Sequence, residues 1–260
     1  MLKKRLIFTL LLNGKNFMLS RNFSLQEVGD WDWILSNYEF KSIAFSVDEL
    51  VLLNVSRNKN IEQFLETVET ISKYCFLPLS AGGWIDGVES VRSMLNAGAD
   101  KVVINTLMFE NPSLVKNIIQ IFGSQSIVGS IDYRTDEKNG TKVLSNRGSK
   151  DVGMTLEQAI SYAQNLGFGE LYLTSVDRDG TGQGLDVDRI SFLAKDCGIP
   201  VIISGGAGNY AHLSHALETQ SISAVSTANI FNFMADNLTE ARDHIRSNGV
   251  QMALFESTFS

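Results

Sequence analysis

The residues best suited to chemistry stand at the ends of short apolar segments. Asp132 closes one of them, in Ser130-Ile131-Asp132-Tyr133. A carboxylate in that place is a candidate general acid/base; its plainer employment is to hold a loop or cap a helix. Gly82-Gly83 follows a second segment and Gly205-Gly206 a third. Glycine leaves backbone N–H groups bare, so such a pair ahead of a helix can cradle a phosphate. Asn105-Thr106 and Thr227-Ala228-Asn229 end two more segments. The stretch Leu173 to Gly184, LTSVDRDGTGQG, is dense in hydroxyls, carboxylates and glycine. A polar ligand requires that composition, and a long surface turn also shows it. His212 and His215 lie three apart with no third ligand near them in sequence, so they and His244 read as surface helix residues and no metal is expected. Cys75 and Cys197 form neither a disulfide framework nor a zinc motif. They read as small core residues of a chain in a reduced, cytoplasmic setting.

The segments that must position these groups are eight apolar runs: RLIFTLLL (5–12), ELVLLNV (49–55), LPLSAG (77–82), KVVIN (101–105), SIVGSID (126–132), ELYLTS (170–175), PVIIS (200–204) and ISAVST (222–227). Helical patterns lie between them. In Ile61–Tyr74 the apolar residues Phe64, Leu65, Val68 and Ile71 recur at three or four. Asn111-Pro112 places an N-cap before proline, Thr155 to Gln158 reads as a capping box, and Asp186 is expected to cap the helix that follows it. Trp31 and Trp33 fall in the first helical region, where packing or partner contact is their expected use. Strands alternating with helices predict parallel βαβ units, and eight of them predict a closed (β/α)8 barrel. The 260 residues suit one such domain, residues 1–260, with an irregular tail from about 249.

An internal repeat points to the same closure. Cys75-Phe-Leu-Pro78 recurs as Cys197-Gly-Ile-Pro200, an offset of 122 (197 − 75). The offset carries Gly83 to Gly205, Val103 to Val225 and Phe109 to Phe231. The second half is a shifted copy of the first. In a barrel the ligand site lies at the C-terminal ends of the strands, with phosphate held after strands seven and eight. The copy predicts a second phosphate site after strands three and four, and hence a ligand with a phosphate at each end.

Net charge is −7 and the pI near 5.0, which argues against nucleic acid and anionic membrane as partners. The start, MLKKRLIFTLLL, has the basic and apolar parts of a signal peptide. Its apolar run is short and no small-residue cleavage site follows, so it reads as a first barrel strand. No stretch approaches the roughly 18 apolar residues of a membrane span.

Four segments carry a family resemblance: Leu173–Thr181 (LTSVDRDGT), Ser204–Gly208 (SGGAG), Gly98–Thr106 (GADKVVINT) and Phe122–Asp132 (FGSQSIVGSID). They resemble the cyclase subunit of imidazole glycerol phosphate synthase, and the similarity runs from Arg5 to about Asn248. The resemblance implies a barrel that takes ammonia from a glutaminase partner at its bottom and delivers it to a phosphorylated substrate at its top. It assigns acid/base work to Asp132. It assigns phosphate and substrate contacts to Gly82, Gly83, Asn105, Thr106, Thr174, Ser175, Asp179, Gly180, Gly205, Gly206, Ala228 and Asn229. A charged gate falls on Arg5, Glu49, Lys101 and Glu170. It implies no cofactor.

The departures from the family pattern cluster in the first half. A second catalytic aspartate, expected on the first strand, is Leu11. A loop lysine falls at Met18, a strand-two aspartate is Asn54, the third glycine after strand three is Trp84, and a serine is Asn229. A Leu-Leu-Leu first strand resembles a paralogous branch linked to acetamidino modification of surface-glycan sugars, in which a separate ATP-dependent sugar amidotransferase takes part. Three functions follow as expectations: ammonia handling for that modification, the histidine-pathway cyclase itself, and a non-catalytic scaffold or activator of a glutaminase.

Overall fold

Leu6 to Leu12 is apolar but for Thr9, without alternation, because the strand it forms is covered on both faces. In the computed structural model, which describes residues 3–37, 46–136, 140–228 and 237–253, β1 (Arg5–Asn13) pairs in parallel with β4 (Glu49–Asn54) on one side and β12 (Ala224–Thr227) on the other. The ring continues through β5 (Leu79–Gly82), β6 (Lys101–Ile104), β7 (Ile127–Asp136), β10 (Glu170–Ser175) and β11 (Val201–Ser204). The pairing of β7 with β10 closes it. These eight parallel strands are the eight apolar runs, each within a few residues of its expected bounds. The architecture is a (β/α)8 barrel.

Helices follow the strands: α1 (Trp31–Asn37), α2 (Ile61–Tyr74), α3 (Val88–Asn96), α4 (Thr106–Glu110), α5 (Pro112–Phe122), α6 (Leu156–Leu166), α7 (Val187–Leu193), α8 (Tyr210–Glu218) and α9 (Asn237–Ser247). Phe64, Val68 and Ile71 are the buried stripe of α2. Two expected starts form as read: Asn111 accepts from the Leu114 N–H ahead of Pro112, and Thr155 and Gln158 complete a capping box. Asp186 is a correction. It holds the N-cap position of α7 but makes no cap bond. Its carboxylate instead accepts from Tyr133 Oη at 3.2 Å and Arg189 Nε at 2.9 Å, so stronger charged and phenolic donors outcompete the backbone.

Two hairpins extend the barrel wall and were not foreseen. β2 (Asn16–Arg21) folds back on β1 and pairs with β3 (Ser24–Gly29). β8 (Gly140–Ser145) folds back on β7 and carries β9 (Lys150–Asp151). Gly14, at φ +64° between the paired residues Asn13 and Asn16, is the sequence signal for the first turn. Trp31 stacks on Phe17 with centroids 6.0 Å apart, so the packing role expected of α1 docks the first hairpin.

The barrel bottom is tied from outside by a buried bidentate pair. Arg242 of α9 donates to both oxygens of Asp48 at 2.9 Å, and Asp48 accepts from the Leu6 N–H at 2.8 Å. Met252 bridges to Lys4 beside it. Cys75 is buried at the C-terminus of α2, and burial pushes its thiol up to about 11; Cys197 is half-buried. The repeat is visible in the backbone: Gly83 and Gly205 both have positive φ, +109° and +91°. Phe231, the copy of Phe109, lies outside the described residues.

Candidate functional site

Inward-facing side chains fill the barrel in layers, as its two-residue strand period requires. The lowest layer is charged. Arg5 donates to Glu49 Oε2 at 2.8 Å and pairs with Glu170. Lys101 reaches Glu49 at 3.2 Å and Glu170 at 2.9 Å. Ser80 Oγ donates to the remaining oxygen of Glu49 at 2.6 Å. The four residues of the expected gate therefore form one closed ring. Glu49 and Glu170 are almost fully buried, a cost that two cations and the hydroxyl offset.

An apolar layer lies above the ring, built from Ile7, Val51, Val103, Val128, Ile202 and Ala224. Next come hydroxyls. Thr9 Oγ1, Tyr172 Oη and Ser226 Oγ form a buried triangle with sides of 2.7 to 2.9 Å. Reading the sequence missed this triangle. Its trace in the sequence is an isolated hydroxyl within an apolar run, Thr9 two residues after Ile7 and Ser226 two after Ala224.

Thr9 and Tyr172 are also the floor of a cavity of about 550 Å³ that opens at the C-terminal ends of the strands. Asp132 stands in its wall. Asn105 Nδ2 donates to Asp132 Oδ2 at 3.0 Å. The Asp132 carboxyl is pushed up to about 7, first by its removal from water and then by the charge of Asp179; the Asn105 hydrogen bond opposes both. A group titrating there can accept or release a proton near neutrality.

The structure uses several expected ligand contacts for its own cohesion. Gly83, Asn105, Thr106, Thr174, Asp179 and Ala228 line the cavity with Asp132. Gly82, Ser175, Gly180, Gly205 and Gly206 are not among its lining. A side chain on Gly82 would meet Val103, on Gly83 Asn54, on Gly205 Ser175, and on Gly206 Gly184. Close packing thus bars a side chain at all four positions. Thr106 Oγ1 accepts from the Asn146 N–H at 3.0 Å. Ser175 is buried. Asn229 lies outside the described residues.

Asp179 fastens the first hairpin. Its Oδ2 accepts from Ser20 Oγ at 2.5 Å and the Phe23 N–H at 3.1 Å, while its carbonyl accepts from the Asn22 N–H at 2.9 Å. Gly180 is packed against Ser20 and Arg21. Burial raises the Asp179 pKa, and the two donated bonds pull it back.

The replaced residues meet. Leu11 lines the cavity and is the cross-strand partner of Met18 in the β1–β2 ladder. Leu53 is its partner on β4. Where a second carboxylate was to stand, the wall is hydrocarbon. The other cavity carboxylates are engaged: Asp86 with Lys59, Glu110 with Lys150 and Asp179 with the hairpin. Trp84 lines the cavity beside Arg147, whose guanidinium lies 5.0 Å from the indole centroid. Arg147 had no signal in the sequence. Among the described residues no cluster of three or more His, Cys, Asp or Glu could hold a metal ion, and no helix is long and apolar enough to cross a membrane.

Comparison with known proteins gives a consistent picture. A family described as histidine biosynthesis protein matches residues 37–236. A protein of Parasynechococcus marenigrum, provisionally named imidazole glycerol phosphate synthase subunit hisF2, is 39% identical over 244 residues, covering 94% of this chain and 90% of its own. The imidazole glycerol phosphate synthase subunit HisF of Streptococcus mutans is 34% identical over 255 residues, 97% of this chain and 100% of its own. That of Dictyoglomus turgidum is 34% identical over 256 residues, with 98% and 100% covered.

Proposed function

The chain belongs to the histidine biosynthesis protein family, among its HisF-type barrels, and on that premise we propose that it is an ammonia-using synthase subunit, fed by a separate glutaminase, that serves acetamidino modification of a surface-glycan sugar. One observation carries the reading: the charged ring at the barrel bottom is complete, while the cavity at the top keeps Asp132 and has Leu11 in its wall where a second carboxylate was expected. The machinery for admitting ammonia is retained and that for the histidine-pathway reaction is not, because leucine cannot move a proton. Loss of one member of an acid/base pair costs about 10²- to 10⁴-fold in rate. The ring of Arg5, Glu49, Lys101 and Glu170 acts in this reading as the ammonia gate, Asp132 as the general acid/base, and the cavity as the site of a phosphorylated sugar. A third, ATP-dependent amidotransferase completes the modification.

The histidine-pathway cyclase is the second reading, favoured by full-length similarity to relatives bearing that name. One assay separates the two. Purified protein is mixed with the ribulose-linked histidine-pathway intermediate and a high concentration of ammonium, and imidazole glycerol phosphate is measured. We expect no turnover while the intermediate still binds. Turnover at the rate of an ordinary cyclase subunit overturns the proposal. Once a glutaminase partner is in hand, Lys101→Ala is expected to uncouple glutamine use from product; unchanged coupling removes the gate from the reading.

A further inference from the structure

We propose that the end of the cavity framed by Trp84 and Arg147 is a subsite for the ring of an anionic sugar, not a cradle for bare phosphate. The inference rests on the reading of this cavity as a substrate site and narrows what that site takes.

The internal repeat exposes the substitution. The offset that carries Gly83 to Gly205 carries Trp84 to Gly206. Both have left-handed backbone, +57° at Trp84 and +104° at Gly206. An L side chain in that region costs about 1–3 kcal/mol, and such strain persists where the surroundings hold it. Here they do: indole Nε1 donates to the Ser56 carbonyl at 3.0 Å, which fixes the ring at the cavity edge. Arg147, also at positive φ (+58°), donates to the same carbonyl at 2.5 Å and to Asn146 Oδ1 at 3.3 Å. Two loops from different parts of the chain thus converge on one acceptor to present an indole and a guanidinium together.

Apart from Arg147, the side chains at this end that could have held a phosphate are engaged. The Asn105 amide donates to Asp132, and the Thr106 hydroxyl accepts from the Asn146 N–H. Lys59, the other cation in the wall, is paired with Asp86. Arg147 has no carboxylate within ion-pairing distance among the described residues, and its five donors are not exhausted by two acceptors. Leu11, Phe23, Leu53 and Ile85 line the same cavity. Hydrocarbon and an indole suit the C–H faces of a sugar ring, and a guanidinium suits one carboxylate or phosphate on it. A bare phosphate would leave that apolar wall unused.

The test is calorimetric titration of the full chain with four probes: glucose 6-phosphate, glucuronate, glucose and inorganic phosphate. We expect the two charged sugars to bind at least about 10-fold more tightly than glucose or phosphate, the range of a stacking contact, and to quench tryptophan fluorescence. Trp84→Gly, which restores the repeat and relieves the backbone, should keep its fold and lose that preference and the quenching. Trp84→Phe should retain most of the preference. Arg147→Gln should reduce the charged sugars to the affinity of glucose. If glucuronate binds as tightly as glucose 6-phosphate, the ligand's charge is any single anion; a large gap assigns it to phosphate, and either result supports the subsite. Phosphate binding as tightly as the sugars, unchanged in Trp84→Gly, overturns the inference and leaves the cavity as a phosphate site. Binding of none of the four overturns it too. The ammonium turnover assay judges the functional reading separately, because it measures product formed from the intermediate and not the affinity or fluorescence response of the four probes.

Discussion

Asn105 and Asp132 meet at the ends of neighbouring strands, the side-chain amide of the residue just after β6 donating to a carboxylate of β7 at 3.0 Å. The contact favours the charged form of a carboxyl that burial and Asp179 hold up at about 7. A carboxyl raised in the folded state keeps its proton there after the unfolded chain has lost it, above about pH 3.9. Stability should therefore fall as pH rises from about 4 to about 7, and level off beyond. Urea denaturation across that range measures it, and Asp132→Asn should flatten this part of the profile. Asn105→Ala should move the Asp132 midpoint upward when followed by carboxyl-carbon NMR. A midpoint near 4 in the native protein would contradict the account.

The charged ring makes a prediction about stability that does not depend on ammonia. Lys101→Met leaves two almost fully buried glutamates sharing Arg5. Breaking one partner out of a buried ionic cluster costs on the order of 3 kcal/mol. Adding Glu170→Gln to Lys101→Met should recover part of that loss, so the double variant should be more stable than the single one in urea. A double variant whose loss is the sum of the singles would mean that the four charges do not act as one group.

Asp179 should control the first hairpin. Asp179→Ala removes the acceptor of Ser20 and of the Phe23 N–H. Hydrogen exchange in β2, β3 and their turn is expected to speed up by about 10-fold or more, the equivalent of one lost hydrogen bond to a charged group. The barrel strands should keep their protection. Uniform acceleration through the whole barrel would show that Asp179 supports the fold and not the hairpin alone.

Arg242 sits far from the cavity, yet its replacement should be severe. It is about 5% exposed and binds Asp48 with two parallel bonds. Arg242→Met is expected to cost about 3–5 kcal/mol, because among the described residues Asp48 is left buried with the Leu6 amide as its one remaining hydrogen-bond donor. Thermal unfolding reads this directly. Arg242→Lys should recover only part, since an ammonium cannot reproduce the bidentate geometry.

The sequence announced the eight barrel strands because both their faces are largely buried, so each is a short run dominated by apolar residues. It announced Asp132 because a carboxylate ending such a run breaks the pattern. Other parts were silent for identifiable reasons. The hairpins run over the barrel mouth with mixed patterning, as in Ser24–Gly29, whose residues are largely exposed. Arg147 acts only because its turn is carried over Trp84, a meeting between residues 63 apart (147 − 84) that no local pattern encodes. The glycines were visible but their whole reason was not. Gly82, Gly83, Gly205 and Gly206 read as ligand contacts, and the structure adds a second reason for them, the approach of a neighbouring backbone or strand side chain.

Barrel closure has a consequence for how the chain folds. β1 finds β4 some forty residues on, but its other edge waits for β12, where Arg5 pairs with Ala224. Contacts of that separation are slow to form. Until then Leu6–Leu12 presents an unpaired apolar edge, which in a growing or refolding chain invites association with its neighbours. The cluster Lys3, Lys4 and Arg5 directly before it places charge where such association would begin. The same Arg5 that later completes the buried ring thus serves first as part of a solubility guard on the strand it opens.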